Sequence, residues 1–220
     1  MLLAERARLT PDLDGPVDVG LPGHLSVSQL VTLRRDPQRL ARSLRRPLPA
    51  RPDPYARRGT AFHHWLEQRF KASRLLDLDE LPGAADEDAA PDDALLELQE
   101  RFEASEWADR VPHDVEVPFA TVVGGVVVRG RMDAVYAYPD GRFDVVDWKT
   151  GRVPTGAAAT SAAVQLAVYR LAWAALAEVP VERIGAAFFY VREGVTVRPA
   201  DLLDASGLVK LITTVPSLPR

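Results

Sequence analysis

The sequence predicts an α/β (α+β) domain, a central mixed β-sheet flanked by helices. Three observations carry that expectation. Residues 113–149 form a run of strand-like segments separated by short turns. Residues 160–178 have the apolar spacing of a strong helix. The stretch 182–192 that follows is mostly apolar, as a strand in the middle of a sheet is. Helix, mostly antiparallel strands, helix, strand is an order that packs helices onto a mixed sheet.

Taken in order, residues 1–25 are punctuated by Pro and Gly and read as an N-terminal arm or linker, so the domain is expected over 26–220 with its core at about 57–192. A helix is expected from about 28 to 44, with Ser28 as N-cap. Four prolines make 47–54 an extended connector. Residues 56–76 read as a helix with Phe62, Leu66 and Phe70 on one stripe. An acidic loop of Gly, Ala, Asp and Pro fills much of 77–93, and 93–108 is an acidic amphipathic helix burying Leu95, Leu98, Phe102 and Trp107. The strands are expected at 113–120, 122–129, 131–138 and 142–149, an antiparallel meander with Pro139-Asp140-Gly141 as one turn and another near Val123-Gly124. Residues 150–159 are a Gly/Pro/Ala loop. The helix 160–178 presents Leu166, Tyr169, Trp173 and Leu176 on one face; strand 184–191 and a last helix at 202–213 follow.

Composition narrows the function. The 220 residues suffice for one domain with a sizeable core. There is no cysteine, which excludes disulfides, thiolate zinc sites, iron–sulfur clusters and cysteine nucleophiles, and is compatible with the reducing cytoplasm where we expect the protein. No apolar run is long enough for a membrane span, and the charged start lacks the apolar stretch of a signal peptide. No G-x-x-x-x-G-K-[ST] motif occurs, so no nucleotide site is expected in this chain. The net charge of −4 argues against a uniformly basic DNA-coating protein. It also hides an asymmetry. Residues 34–58 hold nine arginines and two aspartates, a block suited to a phosphate backbone, whereas 77–106 hold twelve acids and one arginine.

The chemistry concentrates on two consecutive strands. Asp133 lies on the first, and Asp147-Trp148-Lys149 on the second. Alternate side chains share a strand face, so Asp147 and Lys149 project together while Trp148 points the other way and leaves its carbonyl near the acids. Carboxylates and a carbonyl are hard oxygen ligands suited to Mg²⁺ or Mn²⁺. Such ions can supply both a nucleophilic water and charge neutralisation for phosphodiester hydrolysis. Lys149 is suited to stabilising charge on the phosphate, since neighbouring carboxylates oppose the depressed pKa a base would need. On the helix at 57–67, His63 is a candidate ligand sharing a face with Glu67, while His64 points away. Gln165 and Tyr169 share a face of a later helix. Singly, an Asp-x-Lys triplet is an ordinary edge-strand ion pair and a helical histidine an ordinary surface or core residue.

Together, RRGTAFHHWLE (57–67), GRMDAVY (130–136), VVDWKTG (145–151) and QLAVYRLA (165–172) resemble the RecB-like nuclease family of the PD-(D/E)XK superfamily. LSVSQLVTLRRDPQRLA (25–41) resembles the segment before the nuclease core in actinobacterial UvrD/Rep-type helicase–nucleases of the AdnAB kind, in which iron–sulfur members carry a cysteine where this chain has Asp36. The resemblance implies a restriction-endonuclease-like core with His63, Asp133, Asp147 and the Trp148 carbonyl as metal ligands. It implies Lys149 as the catalytic lysine and Gln165 and Tyr169 as its supporting motif. It further implies a DNA nuclease acting on single strands delivered by a helicase motor, in cis or in trans, during double-strand-break end resection and recombinational repair. Glu116 is a weaker candidate near the metal, and Glu67 a structural one. Arg34, Arg35, Arg39, Arg42, Arg45, Arg46 and Arg58 are candidates for guiding DNA. A stand-alone exonuclease and a noncatalytic DNA-binding or scaffold domain are the competing readings.

Overall fold

The computed structural model describes residues 19–46, 54–71 and 93–213. The expected proline connector, most of the N-terminal arm and the acidic loop lie outside the described residues. Strand β1 (His24–Ser26) leads into helices α1 (Val27–Arg35) and α2 (Pro37–Arg45), then α3 (Pro54–Lys71) and α4 (Asp93–Glu103). Strands β2 (Asp114–Val123), β3 (Val126–Ala137) and β4 (Phe143–Lys149) follow, then α5 (Gly156–Ala177), β5 (Ile184–Tyr190), β6 (Val195–Val197) and α6 (Ala205–Thr213). The strands make one mixed sheet in the order β1-β3-β4-β5-β6, with β2 pairing the opposite edge of β3. β2, β3 and β4 are the expected antiparallel meander, and α5 carries the chain from β4 to its parallel neighbour β5.

Several local expectations change. The helix expected over 28–44 is two helices. Proline lacks an N–H and disfavours helical backbone in the residue before it, so α1 stops at Arg35 and Pro37 opens α2. Asp36 caps the new start by accepting the Arg39 N–H at 2.9 Å. The N-cap of α1 is Ser26, not Ser28: Ser26 and Gln29 exchange reciprocal hydrogen bonds of 3.1 and 2.8 Å, a capping box. Most of the two segments expected at 122–129 and 131–138 is one strand, β3, while Val122 and Val123 end β2, because the turn falls at Gly124-Gly125, whose positive φ angles of 58° and 80° suit glycine. α5 begins at Gly156, as the alanines that follow favour helix over loop. Leu176 is 53% exposed, so the buried stripe of α5 ends at Trp173. Strands β1, which straddles the boundary expected between arm and domain at 25–26, and β6 were not foreseen.

Each face of the sheet carries a core. One, under α1, α2, α5 and α6, joins Leu30, Leu33, Leu40, Val128, Val145, Leu166, Phe188 and Leu208. The other, under α3 and α4, is aromatic: Phe62, Phe102, Trp107, Trp148 and Phe189. Phe102 meets Trp148 edge-on at 5.3 Å, and such pairs are each worth about 0.5–1.5 kcal/mol beyond the burial of their area. Strict alternation breaks at one place. Val115 and Val117, two residues apart on β2, pack on opposite faces, as do Met132 and Ala134 on β3. Between them lie Glu116 and Asp133, which the flanking register sets opposite each other. Glu116 takes a positive φ of 52°, uncommon for a side-chain-bearing residue, and this kink turns the end of the hairpin.

At the same place the other edge of β3 is interrupted. β1 pairs with Val127–Arg129 and β4 with Ala134–Ala137, leaving residues 130–133 free of strand partners on that side. Gly130 permits the crowding there: a Cβ would lie 2.7 Å from Val27 and 2.8 Å from the Phe119 ring. Gly130→Ala is therefore expected to destabilise the domain by about 1–3 kcal/mol. Urea denaturation measures this, and an unchanged midpoint would refute it.

Candidate active site

The break in the sheet is where the sequence candidates meet. Asp133 stands at the interrupted edge of β3, and its Oδ2 accepts the Trp148 backbone N–H at 2.8 Å. One residue either side of Trp148, Asp147 and Lys149 project toward α5, while the Trp148 indole is buried in the aromatic core on the far face. Lys149 Nζ lies 2.6 Å from Asp147 Oδ2 and donates to Gln165 Oε1 at 3.0 Å. Gln165 Nε2 in turn donates to Asp147 Oδ1 at 2.6 Å and to the Tyr169 hydroxyl at 2.8 Å. The Tyr169 hydroxyl donates to the Arg131 carbonyl at 2.7 Å, satisfying a backbone acceptor in the gap of β3. Gln165 and Tyr169, one turn apart on α5, thus hold the Asp-x-Lys pair and tie it to β3.

α3 supplies the third side. Phe62 and Leu66 are buried in the aromatic core, which rotates the neighbouring His63 toward the strands. His63 Nδ1 is 3.6 Å from Asp133 Oδ2. His64 faces away, with Nε2 2.9 Å from Gln68 Nε2 and Nδ1 3.8 Å from Glu67 Oε2. Glu67 is thereby drawn toward His64.

The electrostatics follow from burial. Desolvation lowers the His63 pKa, outweighing the attraction of Asp147, so the imidazole is neutral and free to donate a lone pair near neutral pH. Desolvation raises the Asp133 pKa well above the carboxylate range, and the Asp147 charge raises it further. Burial and both acids also hold the Tyr169 hydroxyl protonated, a fixed donor.

His63, Glu116 and Asp133 each offer a ligand atom, all within 4.8 Å of one another. An imidazole nitrogen and carboxylate oxygens in one cluster fit a divalent cation. Asp147 stands just outside this trio, its oxygens engaged by Lys149 and Gln165. Glu116 enters it more firmly than the sequence suggested. The signal was its place directly across from Asp133, which becomes visible only once the hairpin register is known. Arg131 pairs with Glu116 from the same strand as Asp133.

The arginine candidates divide. Arg34, Arg35, Arg39, Arg42, Arg45 and Arg46 are all exposed, on α1 and α2 and just past the end of α2. Arg58, on α3, lines a recess of about 190 Å³ with Tyr55, Thr150, Gly151 and Arg192, next to the end of β4. No described helix is long and apolar enough to cross a membrane.

A solved structure of a candidate exonuclease from Eubacterium rectale superposes with a TM-score of 0.58 at 12% sequence identity, covering 88% of this chain and 79% of that one. At that identity the likeness is one of fold. A second structure, SSO0001, aligns with a TM-score of 0.47 and 18% identity over 99% of this chain and 82% of its own, too low a score to add weight. No curated protein matches the sequence. The family description "PD-(D/E)XK nuclease superfamily" matches residues 24–212, from the first strand to the last helix. The match takes in every element of the fold, the interrupted sheet and the Asp-x-Lys strand included, and the chain belongs to the PD-(D/E)XK nuclease superfamily.

Proposed function

We propose that this domain is a divalent-metal-dependent deoxyribonuclease that hydrolyses phosphodiester bonds of single-stranded DNA. The observation that carries this reading is the meeting of the buried Asp147 and the half-buried Asp133 with a neutral histidine, Glu116 and the Lys149 ammonium at a break in the sheet. The Asp147 charge raises the cost of ionising Asp133, and a bound cation relieves it. His63, Glu116, Asp133, Asp147 and the Trp148 carbonyl would hold that cation. When bound it supplies Lewis acidity and an activated water.

The protein's own groups do the positioning. Gln165 holds Lys149 and Asp147 at fixed separation, so the ammonium is aimed at the site with little reorganisation left to perform. Lys149 stabilises negative charge developing on the phosphate. Tyr169 anchors Gln165 to β3. The Arg58 and Arg192 recess lies where the strand's neighbouring phosphates would pass, and the exposed arginines of α1 and α2 extend a basic track.

Resemblance of residues 25–41 to the segment preceding the nuclease core of UvrD/Rep-type helicase–nucleases supports a motor that feeds the strand, in end resection and recombinational repair in the cytoplasm. Cleavage of end-labelled single-stranded DNA with Mg²⁺, Mn²⁺ or EDTA, comparing wild type with Asp147→Ala, tests the reading. Metal-dependent cutting abolished by the substitution is the expected result. Equal cutting by both proteins would place the chemistry elsewhere.

A further inference from the structure

Beside Lys149, on the face of the sheet that meets α5, lies a pocket of about 400 Å³ that the proposed phosphodiester chemistry does not use. Its floor is Phe188 and Tyr190 of β5, which stand in register with Asp147 and Lys149 of β4 and so project toward the same side. Lys149 Nζ is 5.4 Å from the centre of the Phe188 ring, so the pocket and the site share a boundary. One wall is Val153 and Pro154, held in place because the Val153 N–H donates to the Glu193 carboxylate at 3.1 Å. Another is α5, where Ala163 lies two residues before Gln165 and its short side chain leaves the space open.

The lining says which part of a nucleotide would enter. Among the described residues Asp201 is the one charged residue in its lining, and no lysine or arginine lines it. A phosphate would be repelled there, whereas the recess on the α3 side offers Arg58 and Arg192. The volume falls in the range of small-molecule sites, and apolar walls with a few polar groups suit a flat, neutral heterocycle. We propose that this pocket receives one unpaired base of the strand being cut, that of a nucleotide adjoining the scissile phosphate, whatever its identity. The inference rests on the nuclease reading above and deepens it. A base held in a duplex stack cannot enter a pocket between α5 and the sheet without leaving its partner, so the pocket selects single strands by shape rather than by sequence.

The test uses the whole chain and a set of single-stranded oligonucleotides of one sequence, each with one abasic residue at a successive position. Cleavage with Mn²⁺ is expected to fall by about tenfold when the abasic residue occupies one particular position relative to the cut, the scale of one lost base contact. Ala163→Trp, which fills the pocket from α5, is expected to slow cleavage of the intact strand and to erase the positional dependence. A flat profile in a wild-type protein that cuts the intact strand would overturn the inference and leave the nuclease reading standing. So would a positional drop that persists in a folded Ala163→Trp protein, since the base would then be held elsewhere. If Ala163→Trp does not fold, the abasic series on wild type decides alone. No cutting of the intact strand with any divalent ion would remove the nuclease reading, and this inference with it.

Discussion

Asp133→Asn is expected to reduce metal-dependent cleavage by at least about a thousandfold, or about 4 kcal/mol of barrier, and yet to make the metal-free protein more stable. The two effects share one cause. Asp133 is half-buried beside the buried Asp147, and desolvation with that neighbouring charge raises its pKa well above the usual value. The unfolded chain releases this proton at ordinary carboxylate pH; the folded chain holds it to higher pH. Between those limits the folded state binds more protons, so stability falls as pH rises. Asparagine keeps the acceptor for the Trp148 N–H and removes the ionisation. Its stabilising effect should therefore be absent at low pH and grow as pH rises through that window. Adding Mn²⁺ should invert the order, because only wild type gains binding energy, about 2.7 kcal/mol at a hundredfold excess over Kd. Thermal melts across pH, with and without Mn²⁺, would show the crossover. A variant less stable than wild type in EDTA at neutral pH would refute the electrostatic account of this site.

How much of this was legible in the residues depends on the range of the interaction. The meander, α5 and β5 are written in periods of two and 3.6, and Asp147 and Lys149 share a face through that same short-range rule. The stripe of Phe62 and Leu66 is plain in the sequence and buries as expected, whereas His63 was singled out by the face it shares with Glu67 and by the family resemblance. Glu116 was not placed firmly, because its position depends on hairpin register and on a backbone conformation that no side-chain pattern announces. The break at Asp36-Pro37 was available from proline's geometry, which the expectation of one helix over 28–44 did not apply. β1 and β6 are three residues each, too short to show a period, and exist because a neighbouring strand offers an open edge. The pocket on Phe188 and Tyr190 is a property of packing between α5 and β5, invisible to any local pattern.

Lys149→Met is expected to lower kcat by about 10²- to 10³-fold, the usual cost of removing one preorganised group that stabilises transition-state charge, while KM for the strand changes by less than about threefold. That split marks an interaction made chiefly in the transition state. Metal-induced stabilisation should survive, since Lys149 is no ligand. The metal-free variant should be less stable than wild type: the Asp147 carboxylate is 3% exposed, and losing its 2.6 Å partner leaves a buried charge held by Gln165 alone. Lys149→Arg tests geometry against charge. Gln165 accepts from a single ammonium at 3.0 Å, and the broader planar guanidinium cannot keep that contact and the Asp147 pair in the same space. A partial rescue by Arg is the mark of an electrostatic role, because a proton-accepting lysine could not be replaced by a group that stays charged. A Met variant within tenfold of wild type would assign the charge stabilisation to other groups. A Met variant that binds DNA and metal normally but shows no chemistry would separate an enzyme from a scaffold with the same fold.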